Sequence, residues 1–506
     1  MDLSSWIDAH AEFDPAKPAL RYEGMELTYG DFAAGIHAMA RVLKHRHGVG
    51  RGDRVAYLGL NSPQFLLLLF ACARLGALFI PLNWRLAGPE HVFILTDSTA
   101  KVLVVEDEFR AHVEAFRDGI EDCAFVAGDF ADPAWETLDD DPGPGVDDRN
   151  PHVDRDTPLL LVYTSGTTGH PKGAVLTQDA LFWNALNSLH CHDMTSADHI
   201  LTVLPMFHVG GLNIQTTPAL YAGATVTIHR KFDPVATLRA IARDRPTLTV
   251  QVPATMAALI ALPDWADADL SSLRAMTTGS SIVPRPLLAA FNDRGVPALQ
   301  VYGSTETAPV AVYLRAADAA RKEGSVGKTA LHGDLRIVDD AGRDVAPGQS
   351  GELWVRGGNV MYEYWGNEKA TQEALRDGWY HTGDVGYRDD EGFVYINDRK
   401  KDMIISGGEN IYPAELEAVL HAMDDLADAV VVGRPDPRWG EVPVAVVVPG
   451  MGVEVTRDEI LGRFDGRLAR FKHPKDVVFV NTLPRNVMGK VLKFEVREMV
   501  ADTPAA

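Results

Sequence analysis

The feature that most constrains this chain is a run of glycines, hydroxyl side chains and one lysine directly after a short apolar stretch. Residues 158–163 read Pro-Leu-Leu-Leu-Val-Tyr, as expected of a buried strand. Residues 164–173 follow and read Thr-Ser-Gly-Thr-Thr-Gly-His-Pro-Lys-Gly. The glycines let the backbone approach a ligand, amides and hydroxyls can donate to an anion, and Lys172 adds positive charge. The sequence therefore predicts a strand that leads into a phosphate-binding loop.

This loop is not the P-loop of ATPases, because it lacks the spacing G-x-x-x-x-G-K-[ST]. Four further motifs follow it in order: Tyr-Gly-Ser-Thr-Glu-Thr at 302–307, Tyr-His-Thr-Gly-Asp at 380–384, the run 398–413, and Pro-Arg-Asn-Val-Met-Gly-Lys at 484–490. Together the five motifs resemble those of the adenylate-forming superfamily, which includes acyl-CoA synthetases, aryl-CoA ligases, luciferases and adenylation domains of peptide synthetases. The resemblance extends over essentially the whole chain.

The resemblance implies a nucleotide site. Its ATP- and AMP-binding residues would be Thr164, Ser165, Gly166, Thr167, Thr168, Gly169, Lys172, Tyr302, Gly303, Thr305, Asp384 and Arg399. Tyr302 would lie against the adenine, and Asp384, assisted by Arg399, would accept hydrogen bonds from the ribose hydroxyls. Glu306 and Thr168 would hold Mg²⁺, a cation that prefers carboxylate and phosphate oxygens. The ordinary alternative for Asp384 and Arg399 is a surface ion pair.

The reaction implied is the ATP-dependent joining of a carboxylic acid to coenzyme A. A carboxylate is a poor electrophile, so the acid would first attack the α-phosphate of ATP, releasing pyrophosphate and forming an acyl adenylate. Coenzyme A would then displace AMP to give the thioester. The predicted catalytic residues are Lys490, which would stabilise charge between carboxylate and phosphate, together with His208 and Glu306.

The second half-reaction implies a second arrangement of the chain. In the family, a C-terminal domain rotates about a hinge, which Lys401 matches, so we predict domains at 1–400 and 401–506. The predicted residues for coenzyme A are Gly407, Gly408, Trp439, Lys472 and Lys475. For the two lysines, a solvated helix end is the alternative interpretation.

Composition excludes several other classes. Among 506 residues, 48 are Lys or Arg and 70 are Asp or Glu, so the net charge of −22 offers no basic surface for nucleic acid. Three cysteines cannot build a disulfide framework, and the start of the chain does not resemble a signal peptide. We therefore expect a cytoplasmic monomer or homodimer whose partner is a small carboxylic acid. Residues 65–82 are strongly apolar but predict a core helix and strand; peripheral membrane contact stays open.

The pattern of apolar segments predicts an α/β fold. Strand-like runs at 247–252 and 298–302 alternate with helical patterns, which is typical of parallel sheets covered by helices. A polar connector at 139–151 is expected to separate two α/β lobes. The resemblance implies a large N-terminal domain of such lobes with a small β-barrel-like subdomain, and a small mobile α+β C-terminal domain.

The acid would lie beside His208, Val209, Gly210, Gly279, Ser280 and Gly303. Gly303 matches a tryptophan of acetate-specific relatives, which suggests an acid larger than acetate. Residues 204–213 contain no aspartate to pair an amino group, and 204–214, 277–283 and 302–313 contain no Arg or Lys. The sequence thus favours an apolar monocarboxylic acid over amino acids and dicarboxylates.

Two acid classes remain, and a medium- or long-chain fatty acid is slightly favoured. The alternative is a hydroxycinnamate such as ferulate, because residues 266–274 and 359–361 also resemble feruloyl-CoA synthetases. The segment 277–282 departs from the loop common to both groups. A more remote alternative is an adenylation module that serves a carrier protein. An esterase is disfavoured since no G-x-S-x-G occurs.

Overall fold

The structure is a computed structural model of the chain, and it describes residues 2–164, 171–279, 283–399, 402–406, 409–436, 439–465, 467–468, 470–485 and 489–501. The chain divides into two compact units. The first contains residues 1–280, 290–335 and 355–380, and the second contains 281–289, 336–354 and 381–506. The predicted hinge at Lys401 lies outside the described residues, so the division at this residue stays a prediction.

The first unit contains a sheet of eight described strands. In spatial order they are Glu363–Tyr364, Lys172–Thr177, Pro158–Thr164, Leu78–Pro81, Arg54–Leu58, Val102–Val105, Ala124–Ala127 and Glu136–Thr137. The strands from Pro158–Thr164 to Ala124–Ala127 in this order are parallel and almost wholly apolar, as expected where helices cover both faces, whereas Lys172–Thr177 pairs antiparallel with Pro158–Thr164. The predicted strand at 158–163 is confirmed and ends at the phosphate-loop motif.

A second sheet of the first unit has nine strands within the described ranges. They lie in the order Lys328–Thr329, Val312–Tyr313, Ala298–Tyr302, Ala275–Thr278, Leu248–Gln251, His199–Thr202, Thr225–Ile228, Pro18–Tyr22 and Met25–Thr28. The predicted strands at 247–252 and 298–302 are confirmed as inner strands that pair in parallel with Ala275–Thr278; the strand at 298–302 also pairs antiparallel with Val312–Tyr313. The strands Ala275–Thr278 and Ala298–Tyr302 lead at their carboxyl ends into the motifs at 277–282 and 302–307, at the edge where ligands of such sheets bind.

Helices connect these strands. Those before the phosphate loop are Ser4–Phe13, Tyr29–His45, Pro63–Leu75, Gly88–Asp97 and Arg110–Glu114. Those after it are Gln178–His192, Val209–Gly211, Thr217–Ala222, Pro234–Asp244, Pro253–Ile260, Arg285–Asn292 and Glu368–Ala374, with a π-helical turn at Leu212–Thr216. Short 3-10 turns lie at Asp107–Phe109, Arg117–Gly119, Pro263–Trp265, Thr305–Thr307 and Ala316–Asp318.

The apolar stretch at 65–82 forms a core helix and a strand, as predicted. Ser62 caps the helix through Phe65 N–H, Pro63 occupies its first turn, and the strand Leu78–Pro81 follows. Within the described ranges, helices are either too short or too polar to cross a membrane.

The connector at 139–151 does not separate two lobes, and this expectation is wrong. The strands Pro158–Thr164 and Lys172–Thr177 after the connector join the sheet formed by strands before it. Strand Pro18–Tyr22, from the beginning of the chain, pairs instead with Thr225–Ile228 of the other sheet. The physical reason is pairing: Leu160 pairs in parallel with Phe79, so both buried apolar strands satisfy their backbone groups.

The remaining described strands form two further sheets. One is formed by Gly333–Val338, Gly351–Gly357, Trp379–Arg388, Leu375–Arg376 and Val394–Arg399. The other consists of Glu409–Ile411, Ile404–Ser406, Gly440–Pro449, Leu426–Asp436 and Asp476–Phe479. The same part of the chain contains three helices, Pro413–His421, Arg457–Gly462 and Lys493–Ala501, and a 3-10 turn at Arg470–Lys472. Thr456 and Glu459 form a capping box at the start of the helix Arg457–Gly462.

Candidate functional site

The two ends of the phosphate loop lie side by side in the first unit. Thr164 ends one strand and Lys172 begins the next, and the two residues are paired in the antiparallel ladder. The hydroxyl of Thr164 donates to the carbonyl of Lys172 at 3.4 Å. The predicted nucleotide residues Ser165, Gly166, Thr167, Thr168 and Gly169 lie outside the described residues. The described residues therefore fix where the loop leaves the sheet and where it returns.

A second contact anchors the same strand. The hydroxyl of Tyr163 donates to a carboxylate oxygen of Asp97 at 2.6 Å. Tyr163 also lies opposite Gly173 in the ladder, and the carbonyl of Gly173 accepts from the backbone N–H of Trp365 at 2.7 Å. Both sides of the loop base are thus held by residues distant in sequence.

The motif at 302–307 turns sharply after the strand Ala298–Tyr302. Tyr302, partly buried, ends the strand, and Thr305 and Glu306 are buried in the 3-10 turn Thr305–Thr307. Gly303 has no room for a side chain, because a Cβ there would lie 1.6 Å from the carbonyl oxygen of Pro309. The glycine is therefore required by the backbone itself, and its presence alone does not indicate the size of the acid.

Glu306 is held by two hydrogen bonds from one neighbouring segment. Its Oε1 accepts from the hydroxyl of Tyr364 at 2.7 Å, and its carbonyl accepts from the backbone N–H of Met361 at 2.7 Å. The side chain is buried, and its carboxylate is the hard oxygen donor that Mg²⁺ prefers. No cluster of three or more His, Cys, Asp or Glu side chains suited to a metal occurs in the described ranges. Glu306 therefore fits a magnesium ion that is bound jointly with nucleotide oxygens; its predicted companion Thr168 lies outside those ranges.

Tyr364 also contacts the phosphate-loop side of the site. The ammonium of Lys172 lies 5.3 Å from the centroid of the Tyr364 ring, within the distance of a cation–π interaction. Sequence reasoning missed Tyr364. Its aromatic character alone is no signal, because its partners Lys172 and Glu306 are both more than 50 residues away in the chain.

His208 is neutral in this environment. Its Nδ1 accepts a hydrogen bond from the backbone N–H of Gly210 at 3.0 Å, so the proton of the neutral ring belongs on Nε2. Burial lowers the pKa of His208 to about 4, although the charge of Glu306 acts in the opposite direction. The imidazole therefore offers a ring face and one N–H donor at neutral pH.

The other predicted acid-pocket residues lie on the same unit. Val209 and Gly210 are buried in the short helix Val209–Gly211, and Gly279 is buried after the strand Ala275–Thr278. A Cβ on Gly279 would lie 2.8 Å from the carbonyl oxygen of Val301, so the glycine allows the adjacent strand to approach. Ser280 lies outside the described residues.

Buried polar side chains accompany these elements, and sequence reasoning did not identify them. Gln215 donates to the hydroxyl of Thr277 at 3.2 Å, and Thr277 also bonds His192 at 2.8 Å. Thr278 directly precedes Gly279, and Gln251 is its register partner on the next strand. Within the described part of the chain, three buried oxygens of this region have no hydrogen-bond partner: Gln215 Oε1, Gln251 Oε1 and Thr278 Oγ1. Each can accept a hydrogen bond.

In the second unit, Asp384 and Arg399 lie directly opposite each other on adjacent antiparallel strands. Asp384 is buried, and its backbone N–H donates to the hydroxyl of Thr382 at 3.0 Å. The side chain of Arg399 lies outside what the structure describes. The backbone register brings together the two residues predicted to bind the ribose.

Lys490 is exposed in the second unit. Its segment is closed by a bridge between Arg485 and Val491, and the guanidinium of Arg485 also bonds the carbonyl of Gly489 and the carboxylate of Asp428. Residues 486–488 lie outside the described residues.

The residues predicted for coenzyme A are only partly described. Trp439 is 44% exposed, and its backbone N–H donates to Asp436 at 2.9 Å. Lys475 is exposed, whereas the ammonium of Lys472 forms an ion pair with Glu415. Gly407, Gly408 and Lys401 lie outside the described residues. Trp439 and Lys475 are thus the described candidates most open to a ligand.

Comparison with known proteins adds to this geometry. A family model described as AMP-binding enzyme matches residues 7–365, and one described as AMP-binding enzyme C-terminal domain matches residues 415–490. Indoleacetate–CoA ligase of Aromatoleum aromaticum is 54% identical over 99% of this chain and 98% of that protein. Feruloyl-CoA synthase of Amycolatopsis is 44% identical over 98% of each protein.

Two proteins of lower sequence identity also match over nearly the whole chain. Long-chain-fatty-acid–CoA ligase FadD13 of Mycobacterium tuberculosis is 36% identical over 95% of this chain and 94% of that protein. The crystal structure of the anthranilate CoA ligase AuaEII in complex with anthranoyl-AMP matches with a TM-score of 0.91 and 26% identity. That match covers 99% of this chain and 97% of the other.

Proposed function

This chain belongs to the AMP-binding enzyme family and is an AMP-forming acid–CoA ligase, and from this premise we propose that its acid is an aromatic monocarboxylate of the arylacetate type. The observation that carries the proposal is the 54% identity to an indoleacetate–CoA ligase over nearly the whole length of both proteins. The feruloyl-CoA synthase, at 44%, also has an aromatic acid in its name, whereas the fatty-acid ligase is 36% identical. This replaces the slight preference for a fatty acid that the sequence motifs gave.

Buried polar atoms on the elements next to the predicted acid-pocket residues suit an acid with a hydrogen-bond donor on its ring. Gln215, Gln251 and Thr278 each present a buried oxygen without a partner among the described residues. These oxygens are buried and unpaired before any acid binds, so a ring donor that reached one of them would add a hydrogen bond, whereas an aliphatic chain would add none. An indole N–H can donate to one of them, and the neutral ring of His208 can face the aromatic system.

The first half-reaction is assigned to the following groups. Lys172 and the loop after Thr164 hold phosphates, Tyr302 packs on the adenine, and Asp384 and Arg399 bind the ribose. Glu306 would hold a magnesium ion, which would neutralise phosphate charge when bound. Lys490 stabilises the negative charge that builds up as the carboxylate attacks the α-phosphate.

The second half-reaction uses a different set. Rotation of a C-terminal domain about Lys401 withdraws Lys490 and presents Gly407 and Gly408 beside the pantetheine, while Trp439 and Lys475 contact the nucleotide part of coenzyme A. We also propose that the enzyme is cytoplasmic and is either a monomer or a homodimer.

The test assays each acid individually and measures the two half-reactions separately. Acid-dependent exchange of pyrophosphate into ATP reports adenylation, and mass spectrometry of the product with coenzyme A reports the thioester. Indoleacetate, phenylacetate, ferulate, octanoate, palmitate, acetate and malonate form the panel. We expect kcat/KM for the arylacetates to exceed that for octanoate by at least about 100-fold, a difference of about 2.7 kcal/mol in transition-state binding.

Other outcomes would contradict parts of the proposal. A preference for octanoate or palmitate would restore the aliphatic alternative. Adenylation of any acid without thioester formation from coenzyme A would favour the carrier-protein alternative.

A further inference from the structure

We infer that Tyr364 is a positioning residue, which holds the carboxylate of Glu306 in a fixed orientation beside Lys172 and thereby sets the magnesium affinity of the nucleotide site. The inference rests on the proposed function insofar as Glu306 is the magnesium ligand. Neither the sequence motifs nor the names of the relatives assign a role to Tyr364.

The backbone around Tyr364 is fixed to the strand that begins with Lys172. The strand Glu363–Tyr364 pairs antiparallel with Lys172–Thr177, with Tyr364 opposite Ala174. The backbone N–H groups of Tyr362 and Trp365 donate to the carbonyls of Val175 and Gly173, at 2.8 and 2.7 Å. Tyr364 is therefore part of the same sheet as the base of the phosphate loop.

The side chain of Tyr364 reaches from this sheet to the motif of Glu306. Only 9% of Tyr364 is exposed, and its hydroxyl donates to Glu306 Oε1 at 2.7 Å. A hydrogen bond to an ionised, buried carboxylate is stronger and more directional than one between neutral groups. Because Met361 binds the carbonyl of Glu306, one segment fixes both the backbone and the side chain of this residue.

The ring of Tyr364 contacts Lys172, on the phosphate-loop side of the site. The ammonium of Lys172 lies 5.3 Å from the ring centroid, so the same side chain contacts the proposed phosphate ligand and the proposed magnesium ligand. Loss of the hydroxyl alone would leave the ring and Lys172 in place but release one oxygen of Glu306. Partners that orient a metal ligand typically change metal affinity by about 10- to 100-fold.

The experiment measures ATP binding, not turnover, as a function of magnesium concentration. Isothermal titration calorimetry of the full-length protein gives the dissociation constant of ATP between zero and saturating Mg²⁺. In Tyr364→Phe we expect the Mg²⁺ concentration for half-maximal tightening to rise about tenfold. The affinity for ATP in EDTA should stay within about twofold of wild type, because the ring and Lys172 remain.

Two further variants make the result decisive. Tyr362→Phe is the matched control, since Tyr362 is 61% exposed two residues earlier, and its magnesium dependence should equal that of wild type. Glu306→Gln tests the premise. If Glu306→Gln shifts the magnesium dependence and Tyr364→Phe does not, the inference on Tyr364 is wrong while the role of Glu306 stands. If Glu306→Gln has no effect, the premise itself fails. Thermal unfolding of each variant checks that the protein is folded.

Discussion

Nδ1 of His208 accepts a hydrogen bond from the backbone N–H of Gly210 at 3.0 Å, and this contact fixes the protonation state of a residue in the proposed acid pocket. Protonating Nδ1 would replace an acceptor by a donor opposite another donor, so the geometry and burial act in the same direction. The pKa of the ring is lowered to about 4, with burial as the main cause.

The first prediction concerns the pH dependence of adenylation. Since the pKa of His208 lies near 4, the ring stays neutral from pH 8 down to pH 5.5. In this range kcat/KM for acid-dependent pyrophosphate exchange should show no transition due to His208, and His208→Asn should lower the rate without changing the shape of the profile. An acid limb with a midpoint near pH 6.5 in wild type that disappears in His208→Asn would contradict this.

The second prediction concerns stability and His192. Burial lowers the pKa of this ring from 6.5 to about 4, although the hydrogen bond from Nδ1 to the carbonyl of Ser188 acts in the opposite direction. Between pH 4 and 6.5 the unfolded chain therefore binds one more proton at this residue than the native chain. The corresponding stabilisation is complete above pH 6.5 and falls as the pH decreases, by up to about 1.4 kcal/mol per pH unit.

Proton uptake on unfolding measures this directly. In guanidinium at pH 5.5, His192→Asn should take up about one proton fewer than wild type when it unfolds. Equal uptake by the two proteins would mean that His192 titrates normally in the native state.

The third prediction concerns Gly303. A methyl group at this position would lie 1.6 Å from the carbonyl oxygen of Pro309, so Gly303→Ala must displace the backbone that precedes Glu306. We expect a loss of stability of about 3 kcal/mol and the loss of most adenylation activity. Thermal unfolding and pyrophosphate exchange check this. Gly119→Ala is the control, because a Cβ there meets nothing within 4 Å; comparable stability of both variants would contradict the steric argument.

Much of the fold follows from local sequence features. The helix Pro63–Leu75 could be predicted because Ser62, Pro63 and the apolar run agree locally, and the strands at 158–164 and 298–302 because each is a short apolar run before a motif. The topology could not be predicted in the same way. The strand after the connector pairs with Leu78–Pro81, which lies some 80 residues earlier in the chain. No local sequence pattern encodes such a pairing.

The residues of the candidate site could likewise be predicted only in part. Lys172, Glu306 and Asp384 belong to motifs with a clear chemical pattern, and Glu306 is indeed buried beside a tyrosine hydroxyl. Tyr364, Gln215 and the steric demand at Gly303 depend on contacts between distant segments. Sequence spacing contains no information on such contacts, so Tyr364, Gln215 and the steric role of Gly303 were identified only in the structure.

The fourth prediction separates the two half-reactions through Lys490. Lys490→Ala should reduce adenylation by about 10²- to 10³-fold, because a charge that stabilises the transition state is removed. Thioester formation from a supplied acyl adenylate should change by less than about threefold, since the proposed rotation withdraws the residue in that step. Lys369→Ala, whose side chain is 88% exposed in the first unit, is the control. Equal losses in both steps would contradict the two-conformation account.

The central claim is that this ligase selects an aromatic acid, and direct competition tests it most simply. Indoleacetate, ferulate, octanoate and palmitate are supplied together in equal amounts with limiting ATP, Mg²⁺ and coenzyme A, and the thioesters are quantified by mass spectrometry. Their ratio equals the ratio of kcat/KM values. The account predicts that indoleacetyl-CoA exceeds octanoyl-CoA by at least about 100-fold. An excess of octanoyl- or palmitoyl-CoA would contradict it.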